Sequence, residues 1–167
     1  MIEFGCDTGM YGTAPFILSV TDDADNTLRI VAALPVIGNK GEAVMPALPP
    51  QIREVLRATC PIYPDGERYE IVFRRYIMYQ MRNESYTSWD GYEQREGKYF
   101  LVFRRSRLLD QVENITIACR APDGTCFPGE WTHYGIYSQN HILDVIAEEA
   151  PVITKLGAGS CEKERSI

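Results

Sequence analysis

From Tyr69 to Arg82 the chain adopts a period of two. Tyr69, Ile71, Phe73, Ile77, Tyr79 and Met81 share one parity, interrupted only by Arg75, while Glu70, Arg74, Gln80 and Arg82 share the other. Such alternation suits a strand with one face on a core and the other toward water, so the fold must contain a half-buried sheet. A run of this length is expected to bend or bulge near Arg74–Tyr76.

The flanking segments extend the same architecture. PFILSV at 15–20 and TLRIVAALPVIG at 27–38 are apolar runs separated by TDDADN, a turn-rich spacer that predicts a hairpin. The second run is also compatible with a short buried helix, because periodicity does not separate the two over so few residues. GNKGEAVMPALPP at 38–50 is a loop by its glycines and prolines. Pro49 and Pro50 then open a helix over 50–59, with Ile52, Val55 and Leu56 at helical spacing. CPIYPDGE is a turn cluster and KYFLVFRR a second β-rich run. SRLLDQVEN is a short helix with Ser106 at its N-cap and Leu108, Leu109 and Val112 on its apolar side. ITIAC and TCF flank APDG as a hairpin, WTHYGIYS and HILDVIA form another around Gln139 and Asn140, and PVITKL adds an edge strand. No internal repeat is present. The expected class is α+β: a mostly antiparallel β-sheet with about two helices packed on it. Residues 1–156 form a single domain and 157–167 a flexible C-terminal tail.

Composition narrows the function. With 167 residues the chain can bury a proper core, and 45% hydrophobic content argues against disorder. A net charge of −6 argues against nucleic acid as partner and favours a cationic one. No apolar run is long enough to cross a bilayer, and MIEFGCDTGM lacks the basic start and apolar stretch of a secretory signal. A cytoplasmic protein without a membrane partner is therefore expected. The five cysteines, Cys6, Cys60, Cys119, Cys126 and Cys161, follow no disulfide framework.

Known chemistries find little support. Cys119 and Cys126 flank a turn without zinc-ligand spacing, and the last hairpin separates His133 and His141 by several rows, so no metal is expected. Ser85, Ser88 and Ser106 lack a nucleophile-elbow context, and no phosphate-binding glycine motif occurs. No cofactor is implied. An enzyme would have to use His133 or His141 as base with Asp110 or Asp144 as its partner.

The segment RNESYTSWDGYEQREGK, 82–98, is long for a connector and rich in rings. Tyr86, Trp89 and Tyr92 alternate with Glu84, Asp90, Glu93 and Glu96, the mixture typical of protein-binding hot spots. Arg82, Arg95 and Lys98 stand close enough in sequence to pair with these carboxylates. Two readings stay open at this point: Trp89 packs inward and Tyr92 covers a sheet edge, or Glu84, Tyr86, Trp89, Asp90, Tyr92 and Glu93 form a partner-binding surface.

The succession YQMRNESYTSWDGYE, EGKYFLVF, SRLLD and HYGIYSQNHILDVI, over roughly 69–153, resembles a group of small uncharacterised bacterial proteins. In size and style these are similar to immunity proteins encoded beside polymorphic toxins. The resemblance rests on Asn83, Glu84, Ser85, Asp90, Tyr92, Glu93, Ser106, Asp110, His133, Tyr134 and His141, and it carries over no catalytic residue. It implies a non-catalytic cytosolic inhibitor that meets a basic toxin domain through its acidic, aromatic loop. The alternatives are a small hydrolase using a His/carboxylate pair, and an assembly subunit with VAALPVIG as its interface.

Overall fold

The computed structural model describes residues 2–6 and 12–158. In chain order the elements are β1 (Phe16–Asp22), β2 (Leu28–Ala33), β3 (Val36–Ile37), α1 (Pro50–Ala58), β4 (Ile62–Tyr63), β5 (Glu67–Phe73) and β6 (Tyr76–Arg82). They continue with β7 (Gln94–Glu96), β8 (Phe100–Arg105), α2 (Arg107–Ile115), β9 (Cys119–Arg120), β10 (Cys126–Phe127), β11 (Thr132–Tyr137), β12 (Ile142–Ala147) and β13 (Val152–Ala158). A four-stranded sheet has the order β1-β2-β5-β13 and a five-stranded sheet the order β6-β12-β11-β8-β7; β3-β4 and β9-β10 are two-stranded ribbons. The strand pairings are antiparallel. The class is α+β, dominated by antiparallel sheet, as the alternation predicts.

The long alternating run is two strands. The chain breaks at Arg74 and Arg75, where Arg75 takes a positive φ of 52°, and passes from the four-stranded sheet to the five-stranded one. The parity break at Arg75 marks this change of sheet. In β5, Tyr69, Ile71 and Phe73 face the core as their parity requires. In β6, an edge strand, Met81 is 49% exposed. The Tyr76 hydroxyl donates to Asp22 Oδ2 at 2.7 Å, linking the start of β6 to the end of β1. Burial and the neighbouring Asp22 carboxylate push the Tyr76 phenol up to about 12.

The main core lies between the two large sheets and is centred on aromatic rings. Phe4 from the N-terminal segment packs edge-on against Phe73 of β5 (6.0 Å), Phe100 of β8 (5.5 Å) and Tyr134 of β11 (5.4 Å). Edge-to-face pairs at these separations each add roughly 0.5–1.5 kcal/mol beyond their area burial. Ile2 is buried in the same cluster, so residues 2–6 are a wedge between sheets, a role that no periodicity announces in so short a segment. Gly5 N–H donates to Phe100 O at 2.8 Å and holds the wedge in place.

A second, smaller cluster lies on the outward face of the five-stranded sheet. Leu108 and Val112 of α2 pack there with Ala118, Trp131 and Ile146. The Ser106 hydroxyl caps α2 by accepting from Leu109 N–H at 3.1 Å, the cap its sequence predicts. By contrast, α1 buries none of its residues fully. In VAALPVIG, Ala32 and Ala33 belong to the core, while Val36 and Ile37 are exposed on the β3-β4 ribbon. The turn of the last hairpin is fastened to the other sheet by Asn140. Its Oδ1 accepts from Ile17 N–H at 3.0 Å and its Nδ2 donates to Ile17 O at 2.8 Å, as a paired strand residue would. The expected edge strand at PVITKL is β13, and it reaches Ala158, so the strand includes the first two residues assigned to the tail. The rest of 157–167 lies outside the described residues.

Gly97 has φ +90°, and a Cβ there would sit 2.4 Å from Phe100 O and 3.2 Å from the Gly5 backbone. Gly97→Ala should therefore destabilise the fold by about 2–3 kcal/mol, an expected fall in Tm of roughly 4–10 °C in a thermal melt.

Candidate functional site

The pleat of the β11-β12 hairpin decides which side chains face outward. The register sets His133 opposite Ile146 and Gly135 opposite Asp144. Tyr134, Ile136, Leu143 and Val145 point into the main core, so His133 and Asp144, of opposite parity, share the other face. Gln80 of β6 is the next neighbour in the Asp144 row. Gly135 leaves room there: a Cβ on it would lie 2.9 Å from the Phe103 ring.

These residues form a buried polar relay. His133, 2% exposed, stacks flat on Phe103 with centroids 4.0 Å apart. Its Nδ1 meets Ser106 Oγ at 2.8 Å and its Nε2 meets Asp144 Oδ1 at 3.1 Å. Ser106 Oγ already accepts from Leu109 N–H, so the arrangement that satisfies every group has the hydroxyl donating to Nδ1 and Nε2–H donating to Asp144. On its other oxygen, Asp144 accepts from Arg82 Nη1 and from Gln80 Nε2 at 3.2 Å. Burial pushes the Asp144 carboxyl up, but the His133 bond, the Arg82 guanidinium and the Gln80 amide outweigh it and hold the acid below its ordinary value.

The Ser106, His133 and Asp144 types are those of a hydrolytic triad, but their geometry serves packing. Ser106 is fully buried and its oxygen caps a helix, so no substrate carbonyl can reach it. His133 also presents Nδ1 to the serine and Nε2 to the carboxylate, the reverse of the assignment in a hydrolytic triad. Of the four His/carboxylate combinations open from the sequence, the described contacts join only His133 with Asp144. His141 supplies its backbone to the turn, donating its N–H to Ser138 Oγ at 2.9 Å. Cys119 lies opposite Phe127 and Cys126 opposite Arg120 in their ribbon. Among the described residues no group of three or more His, Cys, Asp or Glu side chains converges as metal ligands would.

The 82–98 segment has more internal structure than its composition suggests. Asn83 caps a 3₁₀ turn at Glu84–Tyr86 by accepting from Ser85 N–H at 2.9 Å, and Gln94–Glu96 is strand β7. Between them Asp90 Oδ1 accepts from Tyr92 N–H at 2.9 Å, and Oδ2 accepts from Arg107 Nε at 2.8 Å. Arg105 Nε donates to Tyr92 O at 2.8 Å. The guanidinium groups of Arg105 and Arg107 lie over the Tyr92 ring at 4.5 and 4.1 Å, and that of Arg95 over Trp89 at 4.1 Å.

The six residues singled out in the sequence therefore divide by role. Tyr86 and Trp89, 84% and 75% exposed, project outward. Tyr92 is half-buried between two arginines, and the hydrogen bond to Asp110 raises its phenol. The Arg107 bond holds the Asp90 carboxyl below its ordinary value, so this charge is already matched within the protein. Arg104 likewise pairs with Glu96. Glu84 bonds the neighbouring Ser85 hydroxyl, which lowers its carboxyl. Among the described residues, neither Glu84 nor Glu93 enters an ion pair.

Two concavities flank this segment. One, of about 270 Å³, has Gln80, Arg82, His133 and Asp144 on the sheet side, Tyr86, Ser88, Asp90 and Glu93 on the loop side, and Arg107, Leu108 and Gln111 from α2. The other, of about 320 Å³, lies among Glu84, Thr87, Trp89, Lys98, Tyr99 and Tyr137. Comparisons with family models, curated proteins and solved structures find no match to this chain. Among the described residues, no helix is long and apolar enough to cross a membrane.

Asp144→Asn should cost roughly 2–3 kcal/mol at neutral pH, since it removes the buried counter-charge of Arg82 and weakens the charge-assisted bonds from Arg82, Gln80 and His133. The wild-type acid limb should differ too. With the folded value below the unfolded one (about 3.9), the Asp144 contribution is present above that unfolded value and lost as pH falls through the folded one. Denaturant titrations between neutral and acid pH should show a shallower loss of stability in the variant.

Proposed function

We propose that this is a non-catalytic protein-binding protein of immunity type, which neutralises a toxin domain in the cytosol through the ridge at 84–93. The observation that carries this reading is the exposure of Tyr86 and Trp89 on a segment held by hydrogen bonds, an ion pair and cation–π stacking. Exposed rings offer apolar area that a partner can bury, and anchoring them beforehand reduces the entropy lost on binding. Tyr and Trp are the residue types that dominate interface energetics. The net charge of −6 favours encounter with a cationic partner. Close to the ridge that field comes from Glu84 and Glu93, because Asp90 and Glu96 already have arginine partners.

One observation favours a second reading, a hydrolase-like enzyme: His133 and Asp144 are hydrogen-bonded to each other and line a cavity. It is the weaker reading, since the hydroxyl that His133 Nδ1 meets, Ser106, is fully buried and occupied in capping α2.

Affinity capture from the source cells, quantified by mass spectrometry, tests the ridge. A Tyr86→Ala/Trp89→Ala double variant with an unchanged melting curve should recover the specific partner at least about tenfold less efficiently than wild type. Equal recovery by both proteins would remove the ridge from the interface.

A further inference from the structure

We infer that the cavity behind the ridge is a socket for one guanidinium side chain of the partner, with Glu93 as its counter-charge. This inference rests on the protein-binding reading and specifies what the bound surface must present.

The argument is a charge balance within a bounded space. Two arginines line the cavity, and each has its own carboxylate: Arg82 with Asp144, Arg107 with Asp90. Glu93 is the lining carboxylate left over, and it makes no ion pair among the described residues. An anion entering here would meet two arginines already matched and a carboxylate that repels it. A cation would complete the balance.

The shape and walls favour a planar cation on a side chain over a free cofactor. About 270 Å³ is at or below the lower end of small-molecule pockets, which run from roughly 300 to 1,000 Å³. The exposed Tyr86 ring forms part of the rim and offers a π face, while Gln80 and Gln111 can supply amide carbonyls to a multi-donor fork. Three stacked guanidinium–ring pairs already occur in the same segment, at Trp89 and at Tyr92. Arginine fits these features better than lysine because it combines stacking with several fixed N–H directions.

The test uses the full chain and a small probe, N-acetyl-arginine amide, which carries the guanidinium and no carboxylate. Titration followed by amide NMR should give saturable shifts centred on Arg82, Tyr86, Glu93 and Gln111, with Kd on the order of millimolar. Glu93→Gln, at a half-buried side chain, should keep its melting curve and weaken the probe roughly tenfold. Glu54→Gln on α1 should leave the affinity unchanged, and N-acetyl-lysine amide should bind more weakly. Absence of saturable shifts, equal binding by Glu93→Gln, or preferential binding of acetate or phosphate overturns the socket. The capture experiment separates this inference from the reading beneath it. Partner recovery that needs Tyr86 and Trp89 but is indifferent to Glu93→Gln overturns the socket and leaves the ridge. Glu93-dependent probe binding together with Tyr86- and Trp89-independent capture upholds a guanidinium socket and overturns the ridge as the interface.

Discussion

The pleat of the β11-β12 hairpin is the constraint on which both halves of the molecule depend. One parity sends Tyr134, Ile136, Leu143 and Val145 to the aromatic core between the sheets, and the other sends His133 and Asp144 to the opposite face. A register slip of one residue would exchange the two sets, placing a histidine and a carboxylate among phenylalanines. The polar relay and the apolar core are thus alternative faces of one hairpin. Ser106 couples this hairpin to α2, because one oxygen both caps the helix and meets His133.

From that platform the outward layer is assembled by arginines. Arg82 extends the relay to the cavity, Arg107 ties the first turn of α2 to Asp90, and Arg105 holds the Tyr92 backbone. An exposed ion pair such as Arg107–Asp90 contributes little stability by itself, whereas Arg82–Asp144 has a buried partner. The effect of Arg105 and Arg107 is positional: with the stacked rings they hold the segment that carries Tyr86 and Trp89. The acidity of the segment is accordingly more local than its composition suggests, concentrated on Glu84 and Glu93.

Much of the fold was legible from sequence, for identifiable reasons. Period-two alternation marked β5, turn chemistry at Pro122, Asp123 and Gly124 marked the β9-β10 ribbon, and the Ser106 cap marked α2. The change of sheet at Arg75 was visible only as a broken parity, since nothing local distinguishes a bulge from a departure to another layer. The Phe4 wedge was hidden because one ring in a short segment carries no period. At the site, the hairpin register already brought His133 within a diagonal of Asp144, yet Arg82 and Gln80 join them through strand pairing over more than sixty residues. Trp89 could not be assigned inward or outward from sequence, because its direction depends on the stacking arginine and on the 3₁₀ turn before it.

The segment bearing the ridge leaves from β6 at one margin of the five-stranded sheet and returns through β7 at the other. It is therefore a strap across a finished surface, and the interior of the sheet is complete without it. Natural variation along such a strap can alter rings and charges while the hairpin beneath retains its hydrogen bonding. A molecule organised in this way can change the protein it recognises without redesigning its core.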